Sequence, residues 1–300
     1  MQYVGRFAPT PSGPLHFGSL VTALASWLDA RSHQGQWLVR MEDLDPPREM
    51  PGASDRILQT LEDLGLTWDG PVVYQSQRSE AYSAALETLQ NQGQAFPCSC
   101  TRKELAGLTP YPGYCRQAPR HPERPLAWRF AVNPELTAEW LDGVQGLQSW
   151  PLSQLGDVVI KRKDGFWAYQ LAVTVDDLEQ GVTQVVRGID LLDSTPWQIN
   201  LLNCLQPDTR PFHYSHLPVI VNASGQKLSK QNLAPAIETR NASELLYRAL
   251  LALNQPVLKD WRKENPHDLL NWAVSHWQLN RVPRVAHLKE ESIQACTSTD

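Results

Sequence analysis

Residues 6–20, RFAPTPSGPLHFGSL, put three prolines, two glycines, a histidine and an arginine into fifteen positions. Before them, residues 4–7 are apolar enough for a strand. After them, Leu20, Leu24, Trp27 and Leu28 recur at the spacing of a buried helix face. A strand that feeds a helix through so stiff and so bare a loop belongs to a parallel sheet with helices on its faces. Such a junction sets free backbone N–H groups and the positive end of a helix dipole at the carboxyl edge of the strands, which makes a ready anion site. Gly13, Gly18 and Ser19 leave room for phosphates to approach the backbone. His16 can donate to a phosphoryl oxygen, and Arg6 can pair with a carboxylate.

The alternation continues. WLVRMED (37–43) reads as a second strand, and Ser54 is expected to cap a helix carrying Ile57, Leu58, Leu61 and Leu64 before Gly65 ends it. A third helix runs from about Ser79 to Gly93. From 96 to 150 the periodicity gives way to Cys, Pro, Arg and His, the pattern of an insertion. DVVIKRKDGFWAYQLAVTV then suggests two strands around a turn at Asp164 and Gly165, TQVVRG another strand, and Pro196 the first turn of a helix. HYSHLPVIV is a last strand, followed by the polar loop NASGQKLSKQN. Beyond it the chain turns helical, with Asn241 and Glu244 spaced as a capping box and Asn265-Pro266 opening a second helix; the closing dozen residues are expected to fray.

The expected fold class is therefore α/β: a Rossmann-like parallel-sheet catalytic domain in two halves, 1–95 and 151–235, with an inserted zinc-bearing subdomain at 96–150 and a short helical C-terminal region at 236–300.

With 27 basic and 32 acidic residues the net charge is −5, so the overall field does not attract a polyanion, and any nucleic-acid contact must be local. Arg116, Arg120, Arg124, Lys161, Arg162 and Lys163 are the basic side chains that could meet phosphates. Hydrophobic residues make up 42% of the chain, yet no apolar run approaches the roughly 20 residues of a membrane span. No charged segment followed by an apolar one opens the sequence, so a cytoplasmic protein is expected. Three of the five cysteines fall within residues 98–115, a pattern of reduced thiols holding a metal rather than of a disulfide framework. Zinc would take Cys98, Cys100 and Cys115 plus one more ligand in a closed, structural site, and His121 is the nearby candidate for the fourth.

HFGS (16–19) and KLSKQ (227–231) together resemble the two signatures of class I aminoacyl-tRNA synthetases. RFAPTPSGPLHFGSL, RMEDLDPPR, AYQLAVTVDDLEQGVTQVVRG and KLSKQ extend the resemblance to the glutamyl branch. The resemblance implies that Arg6, Phe7, Ala8, Pro9, Thr10, Glu42, Tyr169 and Arg187 surround glutamate, and that His16, Gly18, Ser19, Lys227, Ser229 and Lys230 meet ATP. His16, Gly18, Lys227 and Lys230 are the implied catalytic set. Thr10 stands where the branch often has serine, and keeps the hydroxyl. The branch pattern Cys-x-Cys followed by Tyr-x-x-x-Cys matches Cys98, Cys100, Tyr111 and Cys115, which would make a phenolic oxygen the fourth zinc donor.

Only 69 residues follow Gln231, whereas the discriminating enzymes of the branch continue into a long anticodon-reading part. In this the chain resembles the family of glutamyl-Q tRNA(Asp) synthetases. That resemblance implies activation of glutamate by ATP with Mg2+ in the absence of tRNA, and transfer to the queuosine base at the wobble position of tRNA(Asp). It also implies one structural zinc ion and a monomer. Other readings of the same loops are a nucleotidyltransferase acting on a small molecule, a non-catalytic synthetase-derived tRNA-binding module, and charging of tRNA(Glu). The nucleotidyltransferase reading has no need of the Arg6, Glu42, Tyr169 and Arg187 set.

Overall fold

The first strand, β1 (Val4–Phe7), is buried along its whole length, as a strand covered by helices on both faces must be. The computed structural model describes residues 2–208, 212–228 and 236–293. In chain order β1 is followed by α1 (Phe17–Ser32), β2 (Gln36–Met41), α2 (Ala53–Asp63), β3 (Val73–Tyr74) and α3 (Ser79–Asn91). Next come β4 (Ala95–Cys98), β5 (Ala127–Phe130), the hairpin of β6 (Thr137–Asp142) and β7 (Gly146–Pro151), and β8 (Val158–Lys161). The chain goes on through α4 (Tyr169–Glu179), β9 (Gln184–Gly188), α5 (Thr195–Leu205), β10 (His213–Leu217) and β11 (Val219–Val221). It finishes with α6 (Ala242–Ala252), α7 (Pro266–His276) and β12 (His287–Lys289).

Strands β1, β2 and β3 pair in parallel, and so do β9 and β10. The two groups meet where the Thr183 N–H donates to the Val4 carbonyl at 2.9 Å, which sets β9 beside β1. The lateral order is then β3-β2-β1-β9-β10. Successive connections leave β1 toward one edge and β9 toward the other, and a crevice opens at their carboxyl ends. The main core lies between these strands and α1, with α6 and α7 packed on the outer side of α1. Leu20, Leu24, Trp27 and Leu28 are all in it, as their spacing predicts.

Strands β4, β5 and β8 form a separate antiparallel sheet. It carries the cysteine loop between β4 and β5. The β6–β7 hairpin leans on β10 through Trp140 and Tyr214, whose rings meet edge-on at 6.4 Å.

Several local expectations give way to packing. After the turn at Asp164 and Gly165 the chain makes one bridge, Lys161 to Trp167, and then enters α4 in place of a second strand. Val173, Thr174 and Val175 favour strands locally. Burial of Leu171, Ala172, Val173 and Val175 against α3, α5 and β8 outweighs that preference. Gly52, at φ 70°, precedes α2 where Ser54 is expected to cap it. HYSHLPVIV is two strands, since Pro218 has no N–H to continue the β10 ladder. Asn241 starts α6 without a side-chain cap, and Glu244 pairs instead with Arg262 at 2.6 Å, whereas Asn265 caps α7 through the His267 N–H. β12, which pairs in parallel with β11, has no counterpart in the sequence reading. Cys296 and the end of the expected frayed tail, 294–300, lie outside the described residues.

Candidate active site

The loop after β1 is fixed by backbone bonds to its surroundings. The Glu42 N–H donates to the Pro9 carbonyl at 3.0 Å and the Met50 N–H to the Pro11 carbonyl at 3.0 Å. Gly13 sits at φ 146°, a conformation that L side chains rarely adopt. His16 is the N-cap of α1, its Nδ1 accepting from the Ser19 N–H at 3.1 Å while Nε2 lies 3.0 Å from the Ser19 hydroxyl. A Cβ on Gly18 would come within 3.3 Å of that imidazole, so glycine lets the ring fold over the helix mouth.

Charged residues floor the crevice. Arg6 makes two parallel bonds to Asp177, at 3.0 and 3.1 Å, and Arg40 reaches the same carboxylate at 2.7 Å. Burial alone would raise the Asp177 carboxyl; the Arg40 and Arg6 guanidinium groups hold it below the usual range. Glu42 lies 3.6 Å from the Arg40 Nη2, with 11% of its side chain exposed. Here burial wins over Arg40 and Arg6, and the Glu42 carboxyl is pushed up to about 7.

On the β9 side, Arg187 is held at several points. Its Nε lies 3.1 Å from His216 Nε2, and its Nη2 donates to the Thr195 hydroxyl at 2.8 Å. Nη1 lies 3.4 Å from the Tyr169 hydroxyl. His216 in turn meets Asp142 through Nδ1 at 2.5 Å.

The described residues on either side of the second lysine-bearing segment border the crevice. The Ile237 N–H donates to the Leu15 carbonyl at 3.1 Å, and Ala236 bridges His16, so Ala236 and Ile237 pair with the first loop. Lys227 Nζ is 2.5 Å from Asp190 just beyond β9. A cavity of about 550 Å³ results. Arg6, Phe7, Ala8, Pro9, Thr10, His16, Gly18, Ser19, Glu42, Tyr169, Arg187 and Lys227 all line it. Ser229 and Lys230 lie outside the described residues. Sequence reasoning missed Asp190, Asp177 and His216. Asp177 stands in a motif already quoted and His216 in the last predicted strand, but Asp190 falls just beyond TQVVRG and nothing local marks His216 as buried.

The basic side chains named for phosphate contact are engaged within the fold. Arg116 pairs with Asp157, Arg124 with Glu104 and Arg162 with Asp164 and Asp45. Lys163 donates to the Ser99 carbonyl at 2.6 Å, Arg120 stacks on Tyr114 and Lys161 on Trp167.

In the insertion, the sulfurs of Cys98, Cys100 and Cys115 lie within 4.8 Å of one another and are buried. The Tyr111 hydroxyl is 3.5 Å from Cys98 Sγ and 3.7 Å from Cys100 Sγ. His121 turns its ring to Glu104 and Glu123, at 3.7 and 3.6 Å. Burial raises the Cys115 thiol, but hydrogen bonds from the backbone of Arg120 and Ser99 and from the Tyr111 side chain outweigh it, bringing it down to about 6. Converging thiols with one readily ionised sulfur fit a zinc ion.

The family model for the catalytic domain of class I tRNA synthetases (E and Q) matches residues 2–110 and 115–282. A glutamyl-Q tRNA(Asp) synthetase from Pseudomonas aeruginosa is 51% identical over 296 residues, covering 97% of this chain and 99% of the relative. One from Chromobacterium violaceum is 52% identical over 291 residues, covering 94% and 95%. In fold, the chain is similar to a glutamate tRNA ligase from Elizabethkingia meningosepticum, crystallised in complex with its amino acid. The TM-score is 0.81 at 23% identity, over 98% of this chain and 68% of the other. The parallel sheet with its crevice and the near full-length identity agree: the chain belongs to the glutamyl-Q tRNA(Asp) synthetase family, ligases of the class I tRNA synthetase type.

Proposed function

We propose that the chain joins glutamate to the queuosine base at the wobble position of tRNA(Asp), after activating it with ATP in the absence of tRNA. One observation carries the reading: the loop with His16 and the segment with Lys227, more than two hundred residues apart, line a single cavity together with Arg6, Glu42, Tyr169 and Arg187. Cations suit a substrate with two carboxylates, and the Glu42 carboxylate suits its ammonium. In the first step the α-carboxylate oxygen of glutamate attacks the α-phosphorus of ATP. A new P–O bond forms, the bond to the β-phosphate oxygen breaks, and pyrophosphate leaves. Placing two anions side by side and stabilising the charge of the transferring phosphoryl group supply most of the acceleration asked of the protein. His16, the N–H groups around Gly18 and Ser19, and Lys227 with Lys230 and Ser229 are the groups for that work. Magnesium enters with the ATP phosphates. In the second step an acceptor hydroxyl displaces the adenylate and an ester forms.

Cys98, Cys100, Cys115 and Tyr111 would hold zinc, which when bound ties the inserted loop into one unit. The protein acts as a monomer in the cytoplasm.

The test is incubation with ATP, labelled glutamate and tRNA either containing or lacking queuosine. Label is expected only on tRNA(Asp) that carries the modified base. Labelling indifferent to the modification would overturn the reading in favour of tRNA(Glu)-type charging.

A further inference from the structure

We propose that Asp142, on the inserted hairpin, fixes the one imidazole tautomer of His216 that offers an acceptor to Arg187, and that this pair thereby positions Arg187 for its substrate. The inference rests on Arg187 being a glutamate-binding residue.

His216 and Arg187 are directly opposed in the parallel pairing of β10 with β9. His216 is fully buried, so water cannot substitute for its ring partners. Its Nδ1 faces a carboxylate oxygen of Asp142 at 2.5 Å, and an ionised carboxylate only accepts. Its Nε2 faces both the Arg187 Nε–H and the Thr195 hydroxyl, each at 3.1 Å; a guanidinium only donates, and the hydroxyl can donate as well. One neutral form satisfies these contacts, with the proton on Nδ1 and the lone pair on Nε2. Burial and the neighbouring Arg187 lower the affinity of the ring for a second proton, against the pull of Asp142. The Tyr214 ring lies parallel to the imidazole, with centroids 6.1 Å apart and 9° between the planes.

Asp142 is itself immobilised. Its Oδ1 accepts from the N–H groups of His216, Val144 and Gln145 at 3.0, 3.1 and 2.9 Å, leaving Oδ2 for the imidazole. The Gln145 side chain closes the clamp by donating to the His216 carbonyl at 2.8 Å. With Nε held by His216 and Nη2 by Thr195, the Arg187 guanidinium keeps its Nη1 edge beside the Tyr169 hydroxyl, where both residues line the cavity. The hairpin of the insertion thus helps to set the far wall of the catalytic crevice. Asp142 and His216 are positioning residues, since neither lines the cavity.

Asp142→Asn separates this role from a structural one. The amide oxygen keeps the three backbone bonds of Oδ1, while the NH2 that replaces Oδ2 donates to Nδ1 and drives the imidazole proton to Nε2. Two N–H groups then confront each other at Arg187. The expected result is a rise of about 10- to 100-fold in KM for glutamate with KM for ATP unchanged, the effect of losing a hydrogen bond to a charged group. In 15N NMR of the histidine rings, His216 should carry its proton on Nδ1 in the native protein and on Nε2 in the variant. His216→Gln, whose Oε1 can accept at the place of Nε2, should keep the glutamate KM near native, and adding Asp142→Asn to it should have no further effect. If Asp142→Asn fails to fold, His216→Ala against His216→Gln decides: alanine should raise the glutamate KM and glutamine restore it. An unchanged tautomer or glutamate KM in Asp142→Asn, or an undiminished effect in the glutamine background, overturns the proposal. Absence of glutamate-dependent activity in the native protein would instead defeat the functional reading, and the NMR assignment would still judge the tautomer.

Discussion

Arg6 and Asp177 face each other through two parallel hydrogen bonds beneath the crevice, and less than a tenth of either side chain is exposed. Arg40 shares the same carboxylate. Removing one partner of such a set leaves buried guanidinium groups without their counter-charge. Asp177→Asn is expected to lower unfolding stability by about 3–5 kcal/mol in urea titrations. A loss under about 1 kcal/mol, the range of a solvated surface pair, would show that the network contributes little.

Glu42 gives the fold a pH signature. Its carboxyl sits at about 7 in the folded protein, above the roughly 4.3 of an unfolded chain. Between those values the folded state holds a proton that the unfolded state does not. The favourable contribution is therefore complete below about 4.3 and is lost as the pH rises through about 7. Glu42→Gln stays neutral throughout, so urea titrations should find it more stable than the native protein by roughly 1–3 kcal/mol at pH 8 and nearly equal at low pH. The same variant should need more glutamate for half-maximal activity, because the ammonium loses its partner. A variant less stable than native at pH 8 contradicts this account.

Much of this site could be read before the fold was known, and the division has a physical cause. The loop from Arg6 to Ser19 shows itself because its stiffness, bareness and donors are local properties. Lys227 and the thiols are visible for the same reason. Asp142 and His216 are 74 residues apart and look ordinary in their own segments; only the docking of the hairpin on β10 makes them partners. The α4 helix was hidden by the opposite effect, a β-branched run whose local preference is overruled by burial on several sides. Asp177 and Asp176 lie on that helix, so misreading it as strand also hides the anionic floor.

The thiol cluster predicts about one zinc per purified chain by metal analysis. Cys115→Ser should lose the ion. Tyr111→Phe should weaken its retention against a chelator far more than His121→Ala, because the His121 ring faces Glu104 and Glu123 instead of the sulfurs. Less than half an equivalent of zinc, with no change in fold on chelation, would contradict the metal site.

The most direct measurement is ATP–pyrophosphate exchange in the absence of tRNA. Exchange that starts on addition of glutamate, and not with aspartate or glutamine, is the predicted result. Exchange that proceeds without an amino acid, or that waits for tRNA, would mean that this cavity does not bring glutamate and ATP together as described.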